Sequence, residues 1–240
     1  MNLPSKISPV PILTASLEIR YKSELNISDF GKLLVIKLNK MDGDLNIFPT
    51  YSNEDNGKTI LLGFIFRNDS FGFRFNANSF LFEYFNTYSS WSNYFNFVKN
   101  CLNVIYEIGI ICKIDRVGLR YDNVFVDSFD QVLNKVPSLD LQQKYSEASF
   151  FEYKMFIKSN EVGLILQLYL KENEKISPKN YYHIDIDAFI ENIDIELEHL
   201  LVTIDKLHLE EKKFFFQLLN KDYITKLKPE YNDGTPSTSN

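Results

Sequence analysis

Polar and apolar residues alternate along several short stretches of the chain, and this alternation predicts β-strands. In TASLEIRYK, at residues 14–22, every second residue is apolar, so one face of the strand is expected to be buried. Alternating stretches TILLGFIFR, FGFRF and FLFEYF follow between residues 59 and 85. The polar turns RNDSFG and NANS separate them, which is typical of an antiparallel meander.

Apolar residues at helical spacing mark two helices in the first half of the chain. One follows the candidate N-cap Asn26 and covers ISDFGKLLVIKLNKM. The other is an aromatic-rich run that begins at Tyr88 and ends near Gly109, with its large side chains on one stripe. The strand CKIDRVGLRYDNVFV comes next. Residues 1–126 are therefore predicted to form an N-terminal β-α-β-β-β-α-β unit.

The second half repeats this order of elements. The stretches SFFEYKMFIK, VGLILQLYLK and YYHIDIDAF precede a helical region that starts at Asn192 and is predicted to break near Leu207 and His208. Residues 127–230 are therefore predicted to form a C-terminal β-β-β-α-α unit, followed by a disordered tail at 231–240. The predicted class is α+β, with two antiparallel β-meanders that each pack against a long helix; one continuous curved sheet is one way of joining them.

Composition and charge are those of a folded protein and limit its partners. Hydrophobic residues make up 45% and charged residues 24% of the chain. The net charge of −6 argues against a general nucleic-acid-binding surface. Neither a membrane-spanning apolar run nor a signal-peptide pattern is found. Cys101 and Cys112 form no paired motif and are expected in the core. These features predict a cytoplasmic protein with no membrane partner and no cofactor.

Arginine is scarce, and its placement is uneven. The chain has five arginines among 26 basic residues, and all lie in or at the end of predicted strands of the first half: Arg20, Arg67, Arg74, Arg116 and Arg120. A guanidinium has fixed donors that bind carboxylate or phosphate in bidentate geometry. Arginine at these positions therefore indicates specific contacts.

The strand around IDRVGLRYDN has two different faces. Alternation sends its apolar residues to the core and places Arg116, Gly118 and Arg120 on the opposite face. The stems of the two arginines are expected to start about 13 Å apart, with a recess at Gly118 between them. In one interpretation an anionic ligand binds there, and the predicted binding residues are Arg116, Gly118, Arg120, Arg74, Arg20 and Glu18. In the other, the arginines pair across the sheet with acids such as Glu18 or Glu83, or simply extend over an exposed face.

A weak candidate for a metal site lies in HIDIDAF. His183, Asp185 and Asp187 share one strand face and are donor types that bind divalent metals. A polar strand face gives the same pattern without a metal, so no metal is assigned. His199 and His208 are expected to pack or cap helices, with an acid–base role as the alternative. Because phosphate-binding-loop, zinc-protease and serine-hydrolase motifs do not occur, no catalytic residue is assigned.

Segments in three regions of the chain resemble a sporadically distributed bacterial family of uncharacterised proteins of about this length. They are PVPILTASLEIRY near the start, KIDRVGLRYDNVFV in the centre, and DKLHLEEKKFFFQLLNKDYITKLKPE in the C-terminal region. On the family's motif positions this chain has Glu18, Arg20, Arg116, Gly118, Arg120, Tyr121 and His208. The resemblance implies no activity. The patchy distribution of the family implies a role in phage defence or beside a toxin, by analogy alone.

These observations lead to one leading hypothesis and two alternatives. The leading one is a non-catalytic recognition or regulatory protein that binds a protein partner or an anionic ligand, as a sensor or regulator in a phage-defence or toxin-associated module. The first alternative is an enzyme acting on a nucleotide or phosphoester, with the arginines as an electrostatic clamp. Its metal ligands or base would come from His183, Asp185, Asp187 or His208. The second alternative is a scaffold that assembles as a homo-oligomer.

Overall fold

The structure of the chain is a computed structural model that describes residues 2–24, 27–38, 46–53, 59–85, 88–134, 151–159, 161–172 and 180–231. The strands are β1 (Ile12–Lys22), β2 (Asn46–Asn53), β3 (Thr59–Arg67), β4 (Phe71–Asn76), β5 (Ser79–Tyr84), β6 (Lys113–Phe125), β7 (Phe151–Ser159), β8 (Val162–Glu172) and β9 (Asn180–Ile193). The helices of the described ranges are α1 (Ile27–Leu38), α2 (Trp91–Ile108), α3 (Phe129–Val132), α4 (Leu197–Leu218) and α5 (Lys221–Lys226).

The strands form one nine-stranded sheet in the order β2-β3-β4-β5-β1-β6-β9-β8-β7. β3, β4 and β5 pair antiparallel in chain order, and so do β7 and β8. β1 pairs antiparallel with β5, which places Leu17 opposite Phe82. The predicted α+β class is therefore confirmed, and strands from both halves of the chain belong to a single sheet.

The contacts divide the chain into two compact units, each built from separate segments. The N-terminal unit contains Thr14–Arg120 and Phe189–Leu207. The C-terminal unit contains Met1–Leu13, Tyr121–Ala188 and His208–Asn240. This grouping differs from the predicted boundary at residue 126, because β1, β6, β9 and α4 each contribute residues to both units.

β2 is a strand that the sequence pattern did not predict. Its sequence, NIFPTYSN, has Pro49 in the middle, and proline is unfavourable in a paired strand because it lacks an N–H group. β2 lies at one end of the sheet, where β3 is its only partner among the described strands and proline is tolerated. The pairing shifts register between Thr50 and Tyr51, where Leu62 of β3 is the extra residue.

The C-terminal helical region also differs from its prediction. β9 continues to Ile193, so the helix begins at Leu197 instead of Asn192. α4 then runs without interruption through Leu207 and His208, and the predicted break there is wrong. The helix continues because one buried stripe recurs along it at spacings of three and four residues: Leu200, Ile204, Leu207, Glu211 and Phe215.

The sequence also makes predictions about the cysteines, the C-terminal tail and membrane-spanning helices. Cys101 is buried in α2 as expected, whereas Cys112 is exposed just before β6. The predicted tail at 231–240 lies outside the described residues, apart from Tyr231. No helix within the described ranges is both long and apolar enough to cross a membrane.

The core of the N-terminal unit is built around stacked aromatic rings. Phe73, Phe75 and Phe82 are fully buried on one face of β4 and β5. Phe30 of α1 packs edge-on against Phe75, with 5.0 Å between ring centroids. Tyr94 of α2 donates a hydrogen bond from its hydroxyl to the backbone O of Phe82 at 2.9 Å. Both helices therefore cover the same face of these strands.

One carboxyl group is buried in the core stripe of α4. Glu211 is 5% exposed and lies one turn from Leu207 and from Phe215. Burial raises the pKa of its carboxyl to about 8, and the nearby Lys212 offsets only part of this shift. Desolvation favours the neutral, protonated form of a carboxyl group. The folded protein therefore holds a proton on Glu211 at neutral pH.

Replacing Glu211 by glutamine should stabilise the protein at neutral pH and flatten its dependence on pH. The folded pKa of about 8 lies above the ordinary value of 4.5. Stability from the protonated carboxyl is therefore fully present below the lower pKa and is lost as the pH rises through the higher one. At about 1.4 kcal/mol per pKa unit, the wild type should lose on the order of 3–5 kcal/mol over this range.

Urea unfolding curves at several pH values between about 5 and 8 measure this effect. Glu210→Gln is the matched control, because Glu210 is more exposed and pairs with Lys213 at 2.7 Å; it should keep the pH dependence of the wild type. If Glu211→Gln and the wild type lose stability equally over this range, Glu211 is not protonated in the folded state.

Candidate functional site

All five arginines of the chain lie on one face of the sheet within the N-terminal unit. The chain neighbours of these arginines are buried on the helix side: Ile19, Phe66, Phe73, Val117 and Leu119. Strand alternation therefore places Arg20, Arg67, Arg74, Arg116 and Arg120 on the opposite face. We call these five residues the arginine face.

Glu18 joins two of these arginines. Its Oε2 accepts a hydrogen bond from Nε of Arg20 at 3.0 Å and another from Nη1 of Arg116 at 3.2 Å. Arg20 lies two residues further along β1, whereas Arg116 reaches Glu18 from β6. Arg74 of β4 lies 3.6 Å from Glu83 of β5. Ion pairs across the sheet, one of the two interpretations of the sequence, are thus present for Arg116 and Arg74.

Arg116 is held in place by further contacts besides its ion pair with Glu18. Its guanidinium lies over the ring of Phe189, with Cζ 4.6 Å from the ring centroid, and its side chain is only 14% exposed. The guanidinium also covers Gly118, because a Cβ at Gly118 would overlap with Nη1 and lie 2.8 Å from Cζ of Arg116. The recess that the sequence predicted at Gly118 is therefore filled by Arg116 itself.

A second arginine on this face has the same kind of surroundings. The guanidinium of Arg67 lies over the ring of Phe85, with Cζ 4.3 Å from the centroid. That ring covers Gly72, where an added Cβ would lie 2.7 Å from the nearest ring carbon. Sequence reasoning did not assign a role to Arg67, Phe85 or Phe189. Strand parity could have placed Arg67 beside Arg74, but the aromatic partners depend on strand order.

A depression of about 350 Å³ lies beside Arg20. It is lined by Glu18, Arg20, Tyr21, Asn78, Ser79 and Asp115. The ammonium of Lys113, 2.8 Å from Asp115, holds the pKa of that carboxyl below its ordinary value. The depression therefore offers a guanidinium, carboxylates, an amide and a hydroxyl, which suits a polar ligand group more than an apolar one.

His183, one of the weak metal candidates, is paired with a carboxylate in the C-terminal unit. Its Nδ1 lies 2.9 Å from Oδ1 and 3.1 Å from Oδ2 of Asp122. Tyr169 stacks on the imidazole at 4.4 Å and donates a hydrogen bond to Oδ2 of Asp122 at 3.2 Å. Asp185, on the same strand face as His183, is buried. Within the described ranges, no group of three or more His, Cys, Asp or Glu side chains is placed to hold a metal ion.

The other two histidines contact neighbouring side chains. Nδ1 of His208 lies 3.1 Å from the hydroxyl of Tyr121, which is 1% exposed on the helix side of β6. This contact agrees with the packing role that was expected for His208. His199 is exposed, with Nδ1 3.4 Å from a carboxylate oxygen of Asp194 just before α4.

Neither a protein-family model nor a curated protein sequence matches the chain. The resemblance carried by EIRY and RVGLRY therefore stays a prediction.

Gly118→Ala should displace the Arg116 guanidinium and leave the fold intact. The atoms that the new methyl group meets belong to the flexible end of one side chain, which can move at low cost. We expect the free energy of unfolding to fall by about 1 kcal/mol or less, because an ion pair and a cation–π contact weaken. Urea unfolding at neutral pH measures this change.

The same substitution in an Arg116→Ala background is the control. Once the guanidinium is gone, Gly118→Ala should be neutral or stabilising, because glycine is unfavourable inside a strand. An equal loss of stability in both backgrounds would show that the methyl group strains something other than Arg116.

Proposed function

We propose that this protein is a non-catalytic recognition protein whose arginine face binds anionic groups of a protein partner or of a small ligand. The observation that carries the proposal is the location of all five arginines on the sheet face opposite α1 and α2. Guanidinium groups bind carboxylates and phosphates in bidentate geometry, which an ammonium does not provide. An acidic chain that concentrates its arginines on one face presents that face to an anionic partner.

The arginine face combines a fixed cation with exposed ones. Arg116 is held by Glu18, Phe189 and the space above Gly118. The side chains of Arg20 and Arg74 are 56% and 48% exposed, so a ligand can reach their donors. A cation that is already ordered loses little conformational freedom on binding, which favours affinity.

The spacing of these arginines indicates the size of the ligand. β4 and β6 are separated by β5 and β1 in the sheet. Neighbouring strands lie about 4.8 Å apart, so Arg74 and Arg116 start roughly 14 Å from each other. Arg20 lies on β1, between them. A ligand with several anionic groups, such as an acidic protein segment or a polyphosphate, can contact all three, whereas a single small anion cannot.

The cellular role that we propose is a sensor or regulator in a phage-defence or toxin-associated module. It rests on the sequence resemblance, and the identity of the neighbouring genes tests it: a nuclease or toxin gene beside this one supports the role. A cytoplasmic location accords with Cys101 and Cys112, which form no disulfide.

Calorimetric titration with hexaglutamate peptide and with inorganic tripolyphosphate tests the binding proposal. We expect the wild type to bind at least one of these probes. The double variant Arg20→Ala/Arg74→Ala should bind about tenfold more weakly or worse, because two exposed charge-assisted contacts are lost. Adding Arg116→Ala should abolish measurable binding.

Lys32→Ala/Lys99→Ala is the matched control, since it removes the same charge from exposed positions on α1 and α2. It should bind both probes like the wild type. Equal weakening by the lysine and arginine pairs would show general electrostatic attraction instead of a site. A wild type that binds neither probe contradicts the proposal.

A further inference from the structure

The two edges of the sheet are built differently. At one edge, β2 contains Pro49, and its pairing with β3 shifts register between Thr50 and Tyr51; both features oppose pairing with another strand. At the other edge, β7 pairs with β8 through nine residues with no register shift and contains neither proline nor glycine. No described residue pairs with the outer edge of β7. β7 is therefore the edge that is suited to accept a further strand.

The side chains of β7 divide into a charged face and an apolar face. Tyr153, Met155 and Ile157 are half-buried and lie opposite the buried leucines of β8. The alternate positions are exposed and carry Glu152, Lys154, Phe156 and Lys158. Phe156 is 60% exposed. An added strand would cover the half-buried apolar residues on one side and would have to match the charges on the other.

The sequence of β7 matches its own antiparallel copy. When Met155 lies opposite Met155 of a second copy, Glu152 lies opposite Lys158 of that copy. Lys154 then lies opposite Phe156, whose ring can receive the ammonium group. On the apolar face Tyr153 comes opposite Ile157. Opposite charges across neighbouring strands stabilise the pairing, and the twofold symmetry provides each contact twice.

The neighbouring pairing registers of the two β7 strands do not place opposite charges across from each other. Shifting the pairing by two residues in one direction brings Lys154 opposite Lys154 of the second copy. Shifting it by two in the other direction brings Lys154 opposite Lys158. Like charges directly opposite each other destabilise a strand pair, so the register centred on Met155 is favoured over both neighbours.

We propose that β7 pairs with β7 of a second copy of this chain, centred on Met155, to form a symmetric dimer through its C-terminal unit. The occupant of this edge is a second copy because the charges of the strand complement themselves. The proposal is independent of the arginine face, which lies in the N-terminal unit.

Charge reversal tests the pairing by sedimentation equilibrium over about 1–100 µM protein, where mass action makes a dimer visible. The wild type should dimerise. Glu152→Lys and Lys158→Glu should each weaken the dimer about tenfold or more, because each places like charges opposite each other twice. The double variant Glu152→Lys/Lys158→Glu restores opposite charges and should dimerise like the wild type. Lys99→Glu, on the exposed side of α2, should have no effect.

Cysteine crosslinking tests the register. In a Cys112→Ser background, Met155→Cys faces itself across the twofold axis and should form a disulfide-linked dimer with oxidised glutathione. Ile157→Cys faces Tyr153 and should form much less.

A wild type that stays monomeric over the whole concentration range overturns the proposal. So does a dimer that both single charge reversals leave unchanged, since another surface must then hold it. Equal crosslinking at residues 155 and 157 excludes the register centred on Met155.

Discussion

The alternation of side chains along β6 is the constraint on which the rest of the structure depends. Val117, Leu119 and Tyr121 are buried on the helix side of this strand, and the strand contributes residues to both units. A register shift of one residue would expose these side chains and turn Arg116 and Arg120 into the core. Because a buried guanidinium without its partners costs several kcal/mol, the sheet has one acceptable register at its centre.

The same constraint creates the arginine face, because β1, β3 and β4 are also buried on their helix side. The face is more ordered than a set of surface cations. Arg67 and Arg116 each lie over a phenylalanine ring, and each arrangement uses a strand glycine whose missing side chain leaves room. Glu18 holds Arg116 and Arg20 together. A fixed cation next to exposed ones is an arrangement that can select a partner as well as attract it.

Polar side chains outside the arginine face are either hydrogen-bonded, buried with a proton, or placed at an edge of the sheet. His183 is oriented by Asp122 and Tyr169, so it belongs to a hydrogen-bonded network. Glu211 is buried in the core stripe of α4 and keeps a proton, which makes stability depend on pH. At the sheet edges, Pro49 blocks β2, whereas β7 carries charges that complement their own copy. Charge placement thus makes stability depend on pH through Glu211 and distinguishes β7 from β2.

In β9 both faces are buried, since His183 and Asp185 are inside as well as Ile184 and Ile186. Along β1, β4 and β6, by contrast, the sequence by itself determined which residues face inward, because alternation depends on chain neighbours alone. It therefore placed Arg116, Gly118 and Arg120 on one face and identified the strands that alternate. β2 was not predicted, because Pro49 interrupts its alternation of polar and apolar residues. Strand order was decided only by the tertiary structure, since pairing of distant segments depends on burial summed over the whole sheet. That order brings Glu18 to Arg116 and places Phe189 beneath its guanidinium, contacts that no local pattern contains.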